Sequence, residues 1–157
     1  MYKKYFEIRW SDIDANMHLA NTAYAEFVTH TRMSFFVEFG FTLQTMTNHN
    51  IGPVVFYEHM YYFNETYLGT PITVTLEVTG LSEDGKFFRF AHNFYDEKGT
   101  NLAHCEILGA WMDTQKRILI GLPESLSALT DKFPKSKDFK ILTKEDTRKY
   151  GKKPIHL

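Results

Sequence analysis

The chain has 157 residues, 43% of them apolar and 16% aromatic, enough for one domain with a buried, aromatic-rich core. Its single cysteine, Cys105, excludes an internal disulfide and any cysteine-based zinc site, and fits a reducing compartment. Net charge is −1 but unevenly spread. Residues 1–130 hold nine basic against fifteen acidic side chains (−6), and residues 131–157 hold nine against four (+5). The acidic body argues against nucleic acid as the main ligand. The first ten residues lack the apolar core of a signal peptide, and no run approaches the ~18 apolar residues of a membrane helix, so a soluble, cytoplasmic protein with no membrane partner is expected.

In chain order, "KYFEIRW" (4–10) alternates like a strand. A polar loop, "DIDANMH", follows. Residues 20–40 then read as one long helix, with Ala20, Ala23, Tyr24, Phe27, Val28, Thr31 and Phe35 near one stripe, Phe36 and Phe39 widening it, and Gly40 as a C-cap. "LQTMTNHN" is a second short helix. Four strand patterns come next: 53–63, 72–78, 86–96 and 101–113. Gly85 and Gly99 stand at the left-handed position of two hairpin turns. "KRILIGLP" ends the sheet, Pro123 starts a short helix, and a basic segment closes the chain.

This order predicts an α+β domain over residues 1–130 and a solvated basic tail over 131–157. The domain is a curved antiparallel sheet of about five strands, the last four in a meander, wrapped around one long central helix. One helix cannot cover such a sheet alone, so exposed edges favour a homodimer or a higher homo-oligomer.

The loop concentrates chemistry. Asp12, Asp14 and Asn16 match the first ligand positions of a calcium loop, but Met17 stands where the turn glycine belongs and Ala23 where the closing glutamate belongs. Asp14 or Asn16 as a helix cap accounts for only one of the polar residues. A catalytic reading uses more of them. Unpaired N–H groups and the dipole at the helix start can hold an oxyanion. Asp14 can attack a carbonyl or activate water, Asn16 can orient the water or acyl group, and His18 can orient the carboxylate. The backbone N–H groups of His18 and Leu19 are candidate oxyanion donors. Cys105 falls on an apolar strand face with Ala103, Ile107 and Trp111 and reads as a core residue.

The stretch "IRWSDIDANMHLANTAYAEFVTHTR" resembles the start of hotdog-fold thioesterases. Arg9, Trp10, Asp12, Asp14, His18, Asn21 and Tyr24 fill that family's pattern. "MYYFNETYLGTPITV", "FYDEKGTNLAHCEILGAWMD" and "KRILIGLPESL" are similar to its later pieces, in order. The resemblance implies a hotdog fold, dimeric or tetrameric, with active sites between subunits. It implies hydrolysis of coenzyme A or acyl carrier protein thioesters, with no cofactor except coenzyme A as part of the substrate. By position, Asp14 matches the acidic residue of the 4-hydroxybenzoyl-CoA thioesterase branch. The similarity to plant acyl-carrier-protein thioesterases implies Asp14, Asn16 and His18 as catalytic, with Glu65 as a fourth member. Many bacterial members carry glycine at the Met17 position, and Thr66 replaces a cysteine of the plant branch.

Tyr24, Phe27 and Tyr57 are candidate acyl-pocket residues, and Lys86 and Arg89 are candidate phosphate partners. Two other readings stay open, an enoyl-thioester hydratase and a non-catalytic acyl-thioester binding module.

Overall fold

The computed structural model describes residues 1–156. The sheet holds seven strands: β1 (Tyr2–Phe6), β2 (Ile51–Tyr62), β3 (Ile72–Leu81), β4 (Phe87–Tyr95), β5 (Asn101–Asp113), β6 (Ile118–Leu119) and β7 (Lys135–Ile141). Three helices accompany them: α1 (Asn21–Glu38), α2 (Leu43–Asn48) and α3 (Glu124–Thr130). The curved sheet runs β1-β3-β4-β5-β2 around α1, which is the expected hotdog arrangement. No helix of the described residues is long and apolar enough to cross a membrane.

Helix α1 carries the core. Ala23, Tyr24, Phe27, Val28, Thr31, Phe35 and Phe36 are buried, as the stripe predicted. Phe35 and Phe36 pack among Phe41, Phe88, Phe90, Trp111 and Phe133, and truncating either ring to alanine would cost about 3–5 kcal/mol. The helix stops where Gly40 takes a positive φ of 93°. At its start Ala20 supplies no side-chain cap.

Three elements depart from the sequence reading. The first strand ends at Phe6, because Arg9 and Asp12 bond to each other and turn residues 10–12 into a short 3-10 helix. The last four strands are not a simple meander. β2 pairs with β5, on the opposite side of the sheet from β3, so residues 63–71 must cross past the start of α1. That crossing delivers Glu65 and Thr66 to the helix start.

The basic segment is not simply solvated. β7 pairs in parallel with β3, and Leu142 packs so tightly on Gly80 that a Cβ there would lie 2.7 Å from it. The chain then straps the outer face of the sheet. Lys149 Nζ donates to Glu106 at 2.8 and 3.1 Å, and the Tyr150 ring lies edge-on to Tyr57 and His59.

Candidate functional site

The loop before α1 is a closed ring of hydrogen bonds. Asp14 N–H donates to the His18 carbonyl (2.9 Å), and Met17 N–H donates to the Asp14 carbonyl (3.0 Å). Asp14 Oδ1 accepts from the backbone N–H of Asn16 (2.8 Å) and His18 (3.2 Å). Met17 makes the turn at φ 65°, a left-handed conformation in a residue other than glycine. Asp12 lies outside this ring and is buried. Its carboxylate is gripped by Arg9 through Nε, a terminal guanidinium nitrogen and the backbone N–H, and its carbonyl accepts from Ala20 N–H. The Arg9 hydrogen bonds outweigh burial and hold the Asp12 carboxyl below its ordinary value. Asp12 therefore fixes the loop against the helix.

A second segment closes on the loop. Leu19 N–H donates to the Thr66 carbonyl (2.9 Å), and His18 bridges to Tyr67 in antiparallel fashion. This brings His18 Nε2 to 3.5 Å from Glu65 Oε2. Tyr67 donates its hydroxyl to the same oxygen at 2.6 Å and meets the His18 imidazole edge-on at 5.1 Å. The imidazole is thus held on two sides.

Asp14, His18, Leu19, Asn21, Tyr24, Tyr62, Phe63, Asn64, Glu65 and Thr66 line a cavity of about 310 Å³ at the start of α1. Asp14 Oδ1 is occupied by two backbone donors, whereas Oδ2 has no partner among the described residues. Tyr24 is buried, and that burial pushes its phenol up to about 12, so it remains a neutral donor.

The expected oxyanion donors are not available. His18 N–H is taken by Asp14 and Leu19 N–H by Thr66. The backbone N–H groups of Asn21 and Thr22, in the first turn of α1, have no acceptor among the described residues. They are the free donors, and Asn21 lines the cavity. The absence of a capping side chain, legible as Ala20 before the helix, was the signal for them.

Other expected members lie elsewhere. The Asn16 side chain is exposed and off the cavity, and only its backbone N–H joins the loop. Phe27 stacks on Phe6 at 4.4 Å and faces a groove between α1 and β1. Tyr57 points to the outer face, where its hydroxyl donates to Glu106 at 3.0 Å. Arg89 is buried beneath the strap on Thr79, its Nε 3.0 Å from the hydroxyl and 4.0 Å from Glu106. Lys86 pairs with Asp84 at 3.3 Å in the β3–β4 turn. None of these five lines the cavity. Conversely, Tyr62, Phe63 and Asn64 line it without having been singled out; they follow from the β2–β3 crossing.

The fold has close likenesses among solved structures. Protein SAV2348 from Staphylococcus aureus, solved in complex with CoA, superposes with a TM-score of 0.79 at 22% identity, over 99% of this chain and 95% of that one. The DHNA-CoA thioesterase from Staphylococcus aureus gives 0.73 at 16% identity, over 82% and 85%. Slr0204, a 1,4-dihydroxy-2-naphthoyl-CoA thioesterase from Synechocystis, gives 0.73 at 13%, over 83% and 96%. At these identities the likeness is one of fold. No curated protein matches the sequence significantly. Residues 8–138, which hold the loop, the helix and the cavity, match the family model of the thioesterase-like superfamily, and the chain belongs to that family of thioester hydrolases.

Proposed function

We propose that this thioester hydrolase cleaves acyl-CoA to a free acid and coenzyme A, with acyl carrier protein as the alternative carrier. The observation that carries the reading is one cavity lined by Asp14, His18 and Glu65, at a helix start whose first N–H groups are unpaired. The CoA carried by SAV2348 and the CoA thioesters named for the two thioesterases of like fold favour CoA as the thiol.

In this reading the thioester oxygen faces the N–H groups of Asn21 and Thr22, where developing negative charge meets unpaired donors and the helix dipole. Asp14 is pinned through Oδ1 and uses Oδ2 as a general base. It takes one proton from a water whose oxygen bonds to the acyl carbon. The carbon–sulfur bond then breaks, His18, oriented by Glu65 and Tyr67, gives a proton to the leaving thiolate, and the proton taken up by Asp14 passes through solvent to restore His18 for the next turnover. Asn16 acts through its backbone bond to Asp14, as a positioning residue. No cofactor takes part.

β2 has a partner only on its β5 side among the described residues, and Val55, Tyr61 and Tyr62 are exposed along it. Pairing this edge with a second copy would satisfy its free backbone groups and set the copy beside the cavity mouth. A homodimer of twice the 18.4 kDa chain mass is the proposed unit.

Free-thiol release from a panel of acyl-CoAs, short to long and aromatic, tests the reading. Release from at least one member is the expected result. No release from any, with hydration of an enoyl-CoA instead, would replace hydrolysis by the lyase reaction.

A further inference from the structure

Two tyrosine rings meet in the wall of the cavity at the start of α1. Tyr24 and Tyr62 both line it, and their rings meet edge-on with centroids 5.2 Å apart. Tyr24 is locked: it is buried and also lies against Phe94 at 5.0 Å. Tyr62 is the looser member: its hydroxyl has no hydrogen-bond partner among the described residues, and its ring meets only Tyr24 among the aromatic side chains.

Behind the rings, α1 and β2 continue side by side. Tyr24, Val28 and Arg32 follow one another at four-residue steps along one helix face. Tyr62, Met60 and Glu58 follow one another at two-residue steps along the inner face of β2. Val28 and Met60 belong to one apolar cluster with Ala103 and Cys105, the register partners of Tyr62 and Met60 on β5. Alanine and cysteine are small, and an unbranched methionine swings readily between rotamers. The seam closes on charge, where Arg32 pairs with Glu58 at 3.2 Å. From the site inward the order is therefore polar cavity, ring pair, pliable apolar seam, ion pair.

We propose that the Tyr24–Tyr62 ring pair sets the acyl-length limit of this site. With the rings together the cavity takes short or single-ring acyl groups. With the Tyr62 ring gone, an alkyl chain enters the seam and runs to the Arg32–Glu58 pair, where apolar burial ends. Eight residues separate Tyr24 from Arg32, roughly 12 Å at the helical rise. That is the reach of about eight to ten methylenes at ~1.3 Å per bond, taking the three-bond Cα step as the measure. The inference rests on the reading of the cavity as an acyl-CoA site. Tyr62 is the residue to change, because truncating Tyr24 would open a hole in the core.

The test is calorimetric titration of S-alkyl-CoA thioethers, ethyl to decyl and benzyl, into the native protein, Tyr62→Ala and Tyr62→Phe. The corresponding acyl-CoAs are assayed for kcat/KM in parallel. Thioethers cannot be hydrolysed, so binding is read independently of turnover. The native protein and Tyr62→Phe should gain nothing beyond butyl. Tyr62→Ala should gain roughly fourfold in affinity per further methylene up to octyl, the transfer free energy of a CH₂ expressed as a ratio. Over the four methylenes from butyl to octyl its preference should therefore exceed the native one by roughly 250-fold, by the same measure. The same length profile in the native protein and Tyr62→Ala, or a native profile already rising through octyl, would overturn the gate. Short thioethers bound with no acyl-CoA turned over would remove the hydrolysis reading and leave the gate standing. No thioether bound by any of the three proteins would overturn both.

Discussion

Asp14 and His18 are joined twice through the same loop. Asp14 N–H donates to the His18 carbonyl at 2.9 Å, and His18 N–H donates back to Asp14 Oδ1 at 3.2 Å. One carboxylate oxygen thus belongs to the architecture, and the other has no partner among the described residues. Shape and chemistry can be separated by substitution. Asn keeps an Oδ1 acceptor and loses the base, whereas Ala loses both. Asp14→Ala should lower stability by about 1–2 kcal/mol, because two backbone donors lose their partner. Asp14→Asn should stay within about 0.5 kcal/mol of native, since both donors keep an acceptor. Urea unfolding of the two variants measures the difference, and equal stabilities would mean that the ring of bonds does not hold the loop.

Met17 turns this loop at φ 65° with its side chain exposed. A left-handed residue with a Cβ costs about 1–2 kcal/mol, and glycine gives back part of the gain in unfolded-state entropy. Met17→Gly should stabilise by about 0.5 kcal/mol, and the β-branched Met17→Val should destabilise by about 1 kcal/mol or more. Chemical denaturation curves at fixed pH check both signs.

His92 faces the core from β4, fully buried, and neither ring nitrogen has a hydrogen-bond partner. Burial, with the Arg32 guanidinium adding to it, pushes its imidazole down to about 3. The unfolded chain takes up this proton near pH 6.5 and the folded chain does not, so stability is full above that value and falls as pH drops toward 3. The carboxylates held below their ordinary values, Asp12, Asp84, Asp96, Glu106, Glu145 and Asp146, add losses only at the acid end. His104, also lowered by burial, adds to the same slope more weakly. His92→Leu should flatten stability between pH 6.5 and 4.5 and raise it at pH 7 by about 1–2 kcal/mol, since two unsatisfied polar atoms are removed. Unfolding free energies across that pH range decide it, and an unchanged slope would contradict the assignment.

Glu106 anchors the C-terminal strap. Burial opposes its ionisation, but hydrogen bonds from Lys149 and Tyr57 outweigh that and hold its carboxyl below the ordinary range. Glu106→Gln removes the charge that holds Lys149 while leaving an acceptor for Tyr57. Proteolysis after Arg148 and Lys149 should accelerate several-fold in Glu106→Gln, with global unfolding little changed. Equal cleavage rates would show that the strap is held by Leu142 and β7 alone.

Local pattern carried much of this protein. The strands of residues 72–113 alternate with period two, and Gly85 and Gly99 mark their hairpins at φ 66° and 81°. The α1 stripe and the loop before it are equally local. What could not be read is non-local. Nothing within "PVVFYEHMYYF" says that β2 joins β5 rather than β3, yet that choice puts Tyr62 and Glu65 at the cavity. Lys and Arg look alike as free cations in a sequence, so only the fold reveals that Lys149 and Arg89 are already committed to Glu106 and Thr79. The charge of "KSKDFKI" hid a strand whose inner contacts are made by few residues. The loop consumes the N–H groups of His18 and Leu19 for its own closure, so the unpaired donors lie three residues further on, at Asn21 and Thr22.

The most direct test of the central claim is the rate of free-thiol release by Asp14→Asn beside the native protein, on the best acyl-CoA of the panel. The loop survives in this variant, so the rate reports chemistry rather than shape. Loss of a general base predicts a fall in kcat of about 10²–10⁴-fold with KM little changed. A kcat within a few-fold of native, in a variant of native stability, would contradict the account and take Asp14 out of the reaction.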